Sequence, residues 1–176
     1  MFYLIRHGET DYSNDGKTIY KGVGVNFAPL TPNGIEQFKQ IAKDKRLADA
    51  ELIISSPYTR TLQSAAILSK ELQLDLLVEP DIFEWFGDKN YKMIPEEKPG
   101  AMLQDFIDHN GVYPENTEMP WENNEMLRKR LFATLEKYKS YKKVIVVCHG
   151  ILIRSVFNDH WAEFAEIYEF ELPVNK

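Results

Sequence analysis

Apolar residues run almost without interruption in four short stretches, Phe2–Ile5, Leu52–Ser55, Leu76–Val78 and Val144–Cys148. Runs of this length that do not alternate with polar residues predict strands covered on both faces. A fifth strand is expected at Ile167–Leu172. Between the runs the pattern turns helical. In "LTPNGIEQFKQIAKDK", Thr31 is placed to cap, Pro32 fits the first turn, and Ile35, Phe38 and Ala42 keep helical spacing. In "SSPYTRTLQSAAILSKEL", Ser56 is the expected cap, Pro57 the first position, and Leu62, Ala66 and Leu72 the stripe. A third helix is predicted from about Asn123 to Tyr138, with Met126, Leu127, Leu131 and Leu135 inward, and a fourth after Gly150. Strands alternating with helices imply an α/β three-layer sandwich, a mainly parallel sheet with helices on both faces. The stretch 88–121 carries Pro95, Pro99, Pro114 and Pro120 and reads as an irregular insertion over one edge of the sheet, with a short helix near Met102–Ile107.

Composition narrows the picture. At 176 residues, 44% hydrophobic and 27% charged, the chain suits one soluble domain, 1–176, with a real core. The formal charge of −6 argues against nucleic acid or anionic lipid as partners, so an anionic ligand needs a local cationic pocket. Cys148 is the single cysteine, which excludes an intrachain disulfide. The apolar start is too short for a signal peptide, and no stretch approaches transmembrane length, so a cytoplasmic setting is expected.

Two of the apolar runs end on His-Gly: "FYLIRHGET" and "KVIVVCHGILIR". Ligands of parallel α/β sheets bind beyond the carboxyl ends of the strands, where His7 and His149 would share one site. Arg6 adjoins His7, and Arg60 falls in the first turn of the helix after the second strand. Gly8 and Gly150 would let backbone N–H groups approach a ligand. Two arginines, two imidazoles and available amides describe an anion pocket, and phosphate is the obvious anion. By pattern alone, structural roles for His7 and His149 account for the residues about as well. His109 and His160 read as structural or surface residues, and Arg154 as part of a helix's second turn. A metal centre on the two histidines and a carboxylate would meet repulsion from the arginines, and no close metal-ligand spacing is present. Cys148 as nucleophile is disfavoured because it and His149 point to opposite faces of an extended strand, and a buried inert thiol is expected instead.

"RHGET" at 6–10, "APLTPNGIEQ" at 28–37, "SSPYTRTLQSA" at 55–65, "FEWFG" at 83–87 and "VVCHGILIR" at 146–154 together resemble, in order, the motifs of the histidine phosphatase superfamily, also called phosphoglycerate mutase-like. The resemblance implies that His7 attacks phosphorus to form a phosphohistidine that water hydrolyses, with no cofactor. It implies that Arg6, Arg60 and His149 hold the phosphoryl oxygens and that Glu84 is the proton donor. The bland alternative for Glu84 is a solvated loop carboxylate, with Asp81 and Asp88 as rivals. Members of the family usually carry Asn seven residues after the motif arginine; here that position is Ser13, with Asn14 beside it, and either is a candidate phosphate ligand. "GDKNYK" lacks the Trp-Glu-Gly often found after the acid, and "WEN" at 121–123 only loosely matches the family's Gly-Glu-Ser.

The implied activity is hydrolysis of a small phosphomonoester. A phosphoglycerate mutase-type phosphotransferase would need extra basic residues to hold a second phosphate. The insertion offers Lys89, Lys92 and Lys98 but no arginine, against Glu96, Glu97, Asp105, Asp108, Glu115 and Glu118. A phosphoester-binding protein without turnover is the remaining alternative, and it would have no use for a nucleophile and an acid. Trp85, Phe86, Tyr91, Tyr113 and Trp121 are candidates to line a hydrophobic leaving-group site, although packing of the insertion explains most of them.

Overall fold

The structure is a computed structural model, and its described residues are 1–90, 99–157 and 160–173. Five strands form one sheet: β1 (Phe2–Arg6), β2 (Leu52–Ser55), β3 (Leu76–Val78), β4 (Val144–Cys148) and β5 (Ile167–Phe170), in the order β3-β2-β4-β1-β5. All neighbours are parallel except β5, which returns antiparallel along β1. The three inner strands are covered on both faces because successive side chains alternate. Phe2, Leu4, Val144, Val146 and Cys148 join one core, and Tyr3, Ile5, Ile145 and Val147 join the other. β3 does not share this burial: it is an edge strand, and its Leu77 and Val78 are exposed.

Helices α1 (Pro32–Ile41) and α2 (Thr59–Leu72) cover one face through Phe38, Ala65 and Leu68. Helices α3 (Pro99–Asp108), α4 (Asn124–Glu136) and α5 (Gly150–Val156) cover the other through Phe106, Leu127, Leu131, Leu135 and Leu152. α1 starts as expected, with the Thr31 hydroxyl accepting from Gly34 N at 2.9 Å, yet Ile35 is exposed. α4 is capped by the Asn123 side chain, and Met126 lies outside its buried stripe.

One helix start departs from expectation. α2 begins at Thr59, not at Pro57, so its cap position falls to Tyr58, which makes no capping bond, while the Ser56 hydroxyl is taken by His149. Its buried face is Thr61, Ser64, Ala65 and Leu68, leaving Ala66 exposed. The small polar residues face inward because Ser64 receives the Gly8 amide and Thr61 bonds the carbonyls of Ser56 and Tyr58. Part of the insertion joins the core: Phe106 and Trp121 are fully buried in the cluster that holds Leu127, Leu131 and Leu152. The helix there is longer than the proline pattern suggests, and Trp121 is fixed by its indole N–H to Asp105 at 2.8 Å. Pro95, Lys92, Glu96, Glu97, Lys98 and Tyr91 lie outside the described residues. Among those described, no helix is long and apolar enough to cross a membrane.

Candidate active site

The register of the inner strands assembles the site. Arg6 pairs with Cys148 and Ser55 with Val147, and the ladder extends one bond further on each side. His7 N reaches Cys148 O at 3.0 Å, and Ser56 N reaches Val147 O at 3.1 Å. His7, Ser56 and His149 therefore leave three adjacent strands at one level, and α2 begins three residues later with Arg60 as its second residue.

Hydrogen bonds fix both imidazoles. His7 Nδ1 lies 2.9 Å from Gly8 O, and a carbonyl only accepts, so Nδ1 carries the hydrogen and the lone pair is on Nε2. That nitrogen accepts from Arg60 Nε at 3.3 Å. The Thr10 hydroxyl supports the same turn through Gly8 O at 3.2 Å. His149 has the opposite arrangement. Its Nδ1 faces Arg60 Nη2 at 3.4 Å, and its Nε2 donates to Ser56 Oγ at 2.7 Å. The rings meet edge to face with centroids 5.4 Å apart. Burial, then the Arg60 charge, lowers the His7 pKa to about 3, and the same causes hold His149 well below its ordinary value. Both rings are neutral at pH 7.

Arg6 spans the other side. Its Nη1 donates to Ala162 O at 2.6 Å and its guanidinium stacks 4.1 Å from the Phe164 ring centre. Its Nε is buried without a partner, a donor left for an anion. Gly150 makes this seat, since a β-carbon there would stand 3.3 Å from Arg6 Nε. Gly8 has a different use from the one its sequence suggests. A β-carbon at Gly8 would lie 2.7 Å from Gly34 O, and the Gly8 amide is spent on Ser64 Oγ at 3.1 Å. The glycine lets the β1 loop press against α1, where Glu9 accepts from Thr31 Oγ1 at 2.6 Å and Asn33 Nδ2 at 2.9 Å.

Ser13 and Asn14 are exposed in a turn, with Ser13 N bonded to Asp11 and Ser13 O to Lys17, and neither lines the pocket. An asparagine does reach the cluster, but it is Asn26, whose Oδ1 accepts from Arg60 Nη1 at 3.3 Å. Sequence reasoning missed it, as it missed Ser56 and Tyr58. The Tyr58 ring packs edge-on against His149 at 5.2 Å and lies under the Arg60 guanidinium at 5.0 Å.

Glu84 enters from the segment after β3. A pocket of about 260 Å³ is lined by Arg60, Asn26, Tyr58 and Glu84 together with Val23, Val25, Trp85 and Phe86. Burial raises the Glu84 pKa, opposed by the Trp85 N–H bond at 2.8 Å and by Arg60. Asp81 is exposed and Asp88 half-buried, and neither lines the pocket. Glu84 is held through its neighbours. Glu122, in the loosely matching "WEN", pairs with Arg130 of α4 at 3.0 Å. Glu122 also accepts from Phe86 N at 3.1 Å, and its carbonyl takes the Trp85 indole N–H at 2.8 Å. Arg130 donates to the carbonyls of Asp81 and Phe83, each at 2.7 Å, and lies over the Phe83 ring at 4.0 Å. The acid-bearing segment is thus clipped to α4 on both sides of Glu84.

The remaining candidates stand apart. His109 bonds Asp105, the exposed His160 sits near Glu166, and Arg154 stacks on Trp161. The Cys148 thiol is fully buried, and burial raises its pKa to about 12, which leaves no thiolate for attack. Tyr113 and Trp121 belong to packing, with Tyr113 OH bonded to Trp121 O at 2.5 Å, whereas Trp85 and Phe86 line the pocket.

A five-stranded, mostly parallel sheet with two His-Gly strand ends and paired arginines at their carboxyl edge defines a known class. The chain belongs to the histidine phosphatase superfamily (branch 1), whose family model matches residues 2–173. It is 29% identical over 159 residues to an uncharacterized phosphatase of Bacillus subtilis, covering 89% of this chain and 75% of that protein. It is 28% identical over 155 residues to the adenosylcobalamin/alpha-ribazole phosphatase of Escherichia coli, covering 85% of this chain and 74% of that one. Among solved structures it resembles a mycobacterial glucosyl-3-phosphoglycerate phosphatase with a TM-score of 0.64 at 20% identity, over 89% of this chain and 76% of the other.

Proposed function

We propose that this chain is a phosphatase that hydrolyses a small phosphomonoester through a phosphohistidine at His7, without a metal cofactor, in a cytoplasmic setting. The observation that carries the reading is the pairing of a neutral His7, its Nε2 lone pair facing Arg60, with a carboxyl group of raised pKa on the pocket that the same Arg60 lines. In the first step Nε2 attacks phosphorus, the bond to the ester oxygen breaks, and that oxygen takes the Glu84 proton as it leaves. In the second step water attacks the phosphohistidine and gives a proton to the Glu84 carboxylate. Inorganic phosphate departs, and His7 is neutral again. Arg6, Arg60 and His149 hold the three peripheral oxygens, and their charge and hydrogen bonds supply most of what phosphoryl transfer asks of a protein. Asn26 steadies Arg60 from the far side of its guanidinium.

A mutase reading lacks support at the pocket, where Arg60 is the single cationic side chain among the described lining residues. Two guanidinium groups at the strand ends would also repel a divalent cation. The test is hydrolysis of a phosphomonoester panel in excess chelator, followed by acid quench and mapping of labelled phosphate. Chelator-resistant turnover with an acid-labile label on His7 is expected. Activity restored only by a divalent ion, or label on another residue, overturns the mechanism.

A further inference from the structure

The pocket beside Arg60 has two chemically distinct sets of lining groups. Its polar groups gather at the phosphoryl end, where Arg60 touches His7 and Asn26. Glu84 is coupled to the same arginine, whose charge opposes the rise in its pKa. The rest of the described lining is mostly carbon: Val23, Val25, Trp85 and Phe86, with the Tyr58 ring bridging them to Arg60 and Gly22 and Gly87 adding no side chain. Trp85 has one polar atom, and the Glu122 carbonyl already occupies it at 2.8 Å. What Trp85 offers the pocket is therefore a hydrocarbon surface. That surface is set in advance, since Glu122 fixes Trp85 and Phe86 from behind. Val23 lines the pocket yet is 44% exposed, with Ile19 and Phe27 exposed on the same short segment. An apolar substituent would cover Val23, whereas a carboxylate or second phosphate would meet, among the described lining residues, no cation other than an arginine already committed to the phosphoryl group. A cationic substituent would meet that arginine.

Building on the phosphatase reading, we infer that the substrate class is phosphomonoesters of uncharged apolar or aromatic alcohols, with Val23, Val25, Tyr58, Trp85 and Phe86 as the specificity wall. A preorganised apolar site rewards burial of carbon and penalises a charge that loses its water without gaining a partner. The preference should reach about tenfold or more per ring-sized group.

The experiment compares kcat/KM for benzyl phosphate with phosphoserine, 3-phosphoglycerate and phosphoethanolamine. Benzyl phosphate should lead each by about tenfold. A lead for any charged substrate, or parity across the panel, overturns the inference. The same preference is read without turnover by calorimetric binding of benzylphosphonate against phosphonoacetate. A chain that prefers benzylphosphonate but hydrolyses nothing supports the wall and defeats the phosphatase reading. A chain that prefers phosphonoacetate defeats the wall whatever its turnover. Val23→Lys, at a position solvent already reaches, should move the ratio toward 3-phosphoglycerate and phosphonoacetate. An unchanged ratio removes Val23 from the wall.

Discussion

The two halves of this site are built by different means. The half proposed to hold the phosphoryl group (Arg6, His7, Arg60 and His149) stands on strand ends and the start of α2, their level set by ladder bonds such as His7 N to Cys148 O at 3.0 Å. The half proposed to take the leaving group (Val23, Glu84, Trp85 and Phe86) has no strand beneath it. It is held by side chains: the Glu122–Arg130 pair and the carbonyls that Arg130 gathers. A ladder cannot shift by one residue without turning every side chain to the wrong face. A side-chain clip can be redrawn by single substitutions. The first half should therefore tolerate little change, and the second should be where substrate preference is altered.

The largest effect should follow loss of the proposed nucleophile. His7→Ala is expected to lower turnover by roughly four orders of magnitude or more, with far-UV circular dichroism unchanged. Residual turnover near wild type would place the chemistry elsewhere. Next, Arg60→Ala should reduce kcat/KM by roughly a hundredfold to a thousandfold and weaken inhibition by inorganic phosphate in parallel. Phosphate inhibition equal to wild type would separate Arg60 from the phosphoryl group.

Crossing to the other half, Glu84→Gln should slow phosphoenzyme formation from an alkyl phosphate by roughly a hundredfold. It should barely affect p-nitrophenyl phosphate, whose phenolate leaves without a proton. Equal slowing would make Glu84 a positioning residue. Arg130→Met tests the clip itself. It strands the Glu122 carboxylate, whose side chain is 2% exposed, and should cost about 3 kcal/mol of stability. Among molecules that remain folded, the alkyl substrate should lose more than the p-nitrophenyl one, about tenfold in their ratio, because Glu84 is misplaced while His7 is not. An unchanged ratio would show that the clip holds the fold but not the acid.

A separate effect, on stability and not on turnover, appears in acid. Burial and Arg60 keep the His7 pKa at about 3 in the folded chain, against 6.5 for an unperturbed imidazole. The unfolded chain therefore binds the extra proton first, and stability present above pH 6.5 is lost as pH falls toward 3. Thermal melts without phosphate should fall more steeply over that range in wild type than in His7→Asn. Parallel curves would contradict a neutral, buried ring.

The same division explains what could be read from sequence. Unbroken apolar runs gave four strands nearly to the residue, and their ends named His7, Arg6, Arg60 and His149, which the fold brings together. Glu84 was reached through its motif and lines the pocket. The missed contacts are those made by side chains far apart in the chain. Ser56 looks like a helix cap, and nothing local shows that His149, 93 residues later, takes its hydroxyl. Ser13 and Asn14 stand where a motif wants an amide, whereas Asn26 arrives through short 3-10 turns that carry no hydrophobic period. "WEN" matched its motif poorly, yet its Glu122 is the residue that reaches back 36 positions to Phe86. The exposure of β3 was hidden for another reason: an apolar edge strand and an apolar inner strand read alike.

The position of β1 has a consequence for the order in which the protein is made. Residues 2–6 leave the ribosome before the rest of the sheet, but their partners are residues 144–148 on one side and 167–170 on the other. Until those arrive, β1 lacks both of its sheet neighbours, and Arg6 lacks the Ala162 carbonyl that seats it. Long-range pairing of this kind makes folding slow and late. A nascent chain halted before residue 144 would carry His7 and both arginines, Arg6 and Arg60, and would still lack the strand that aligns them and the His149 that follows it.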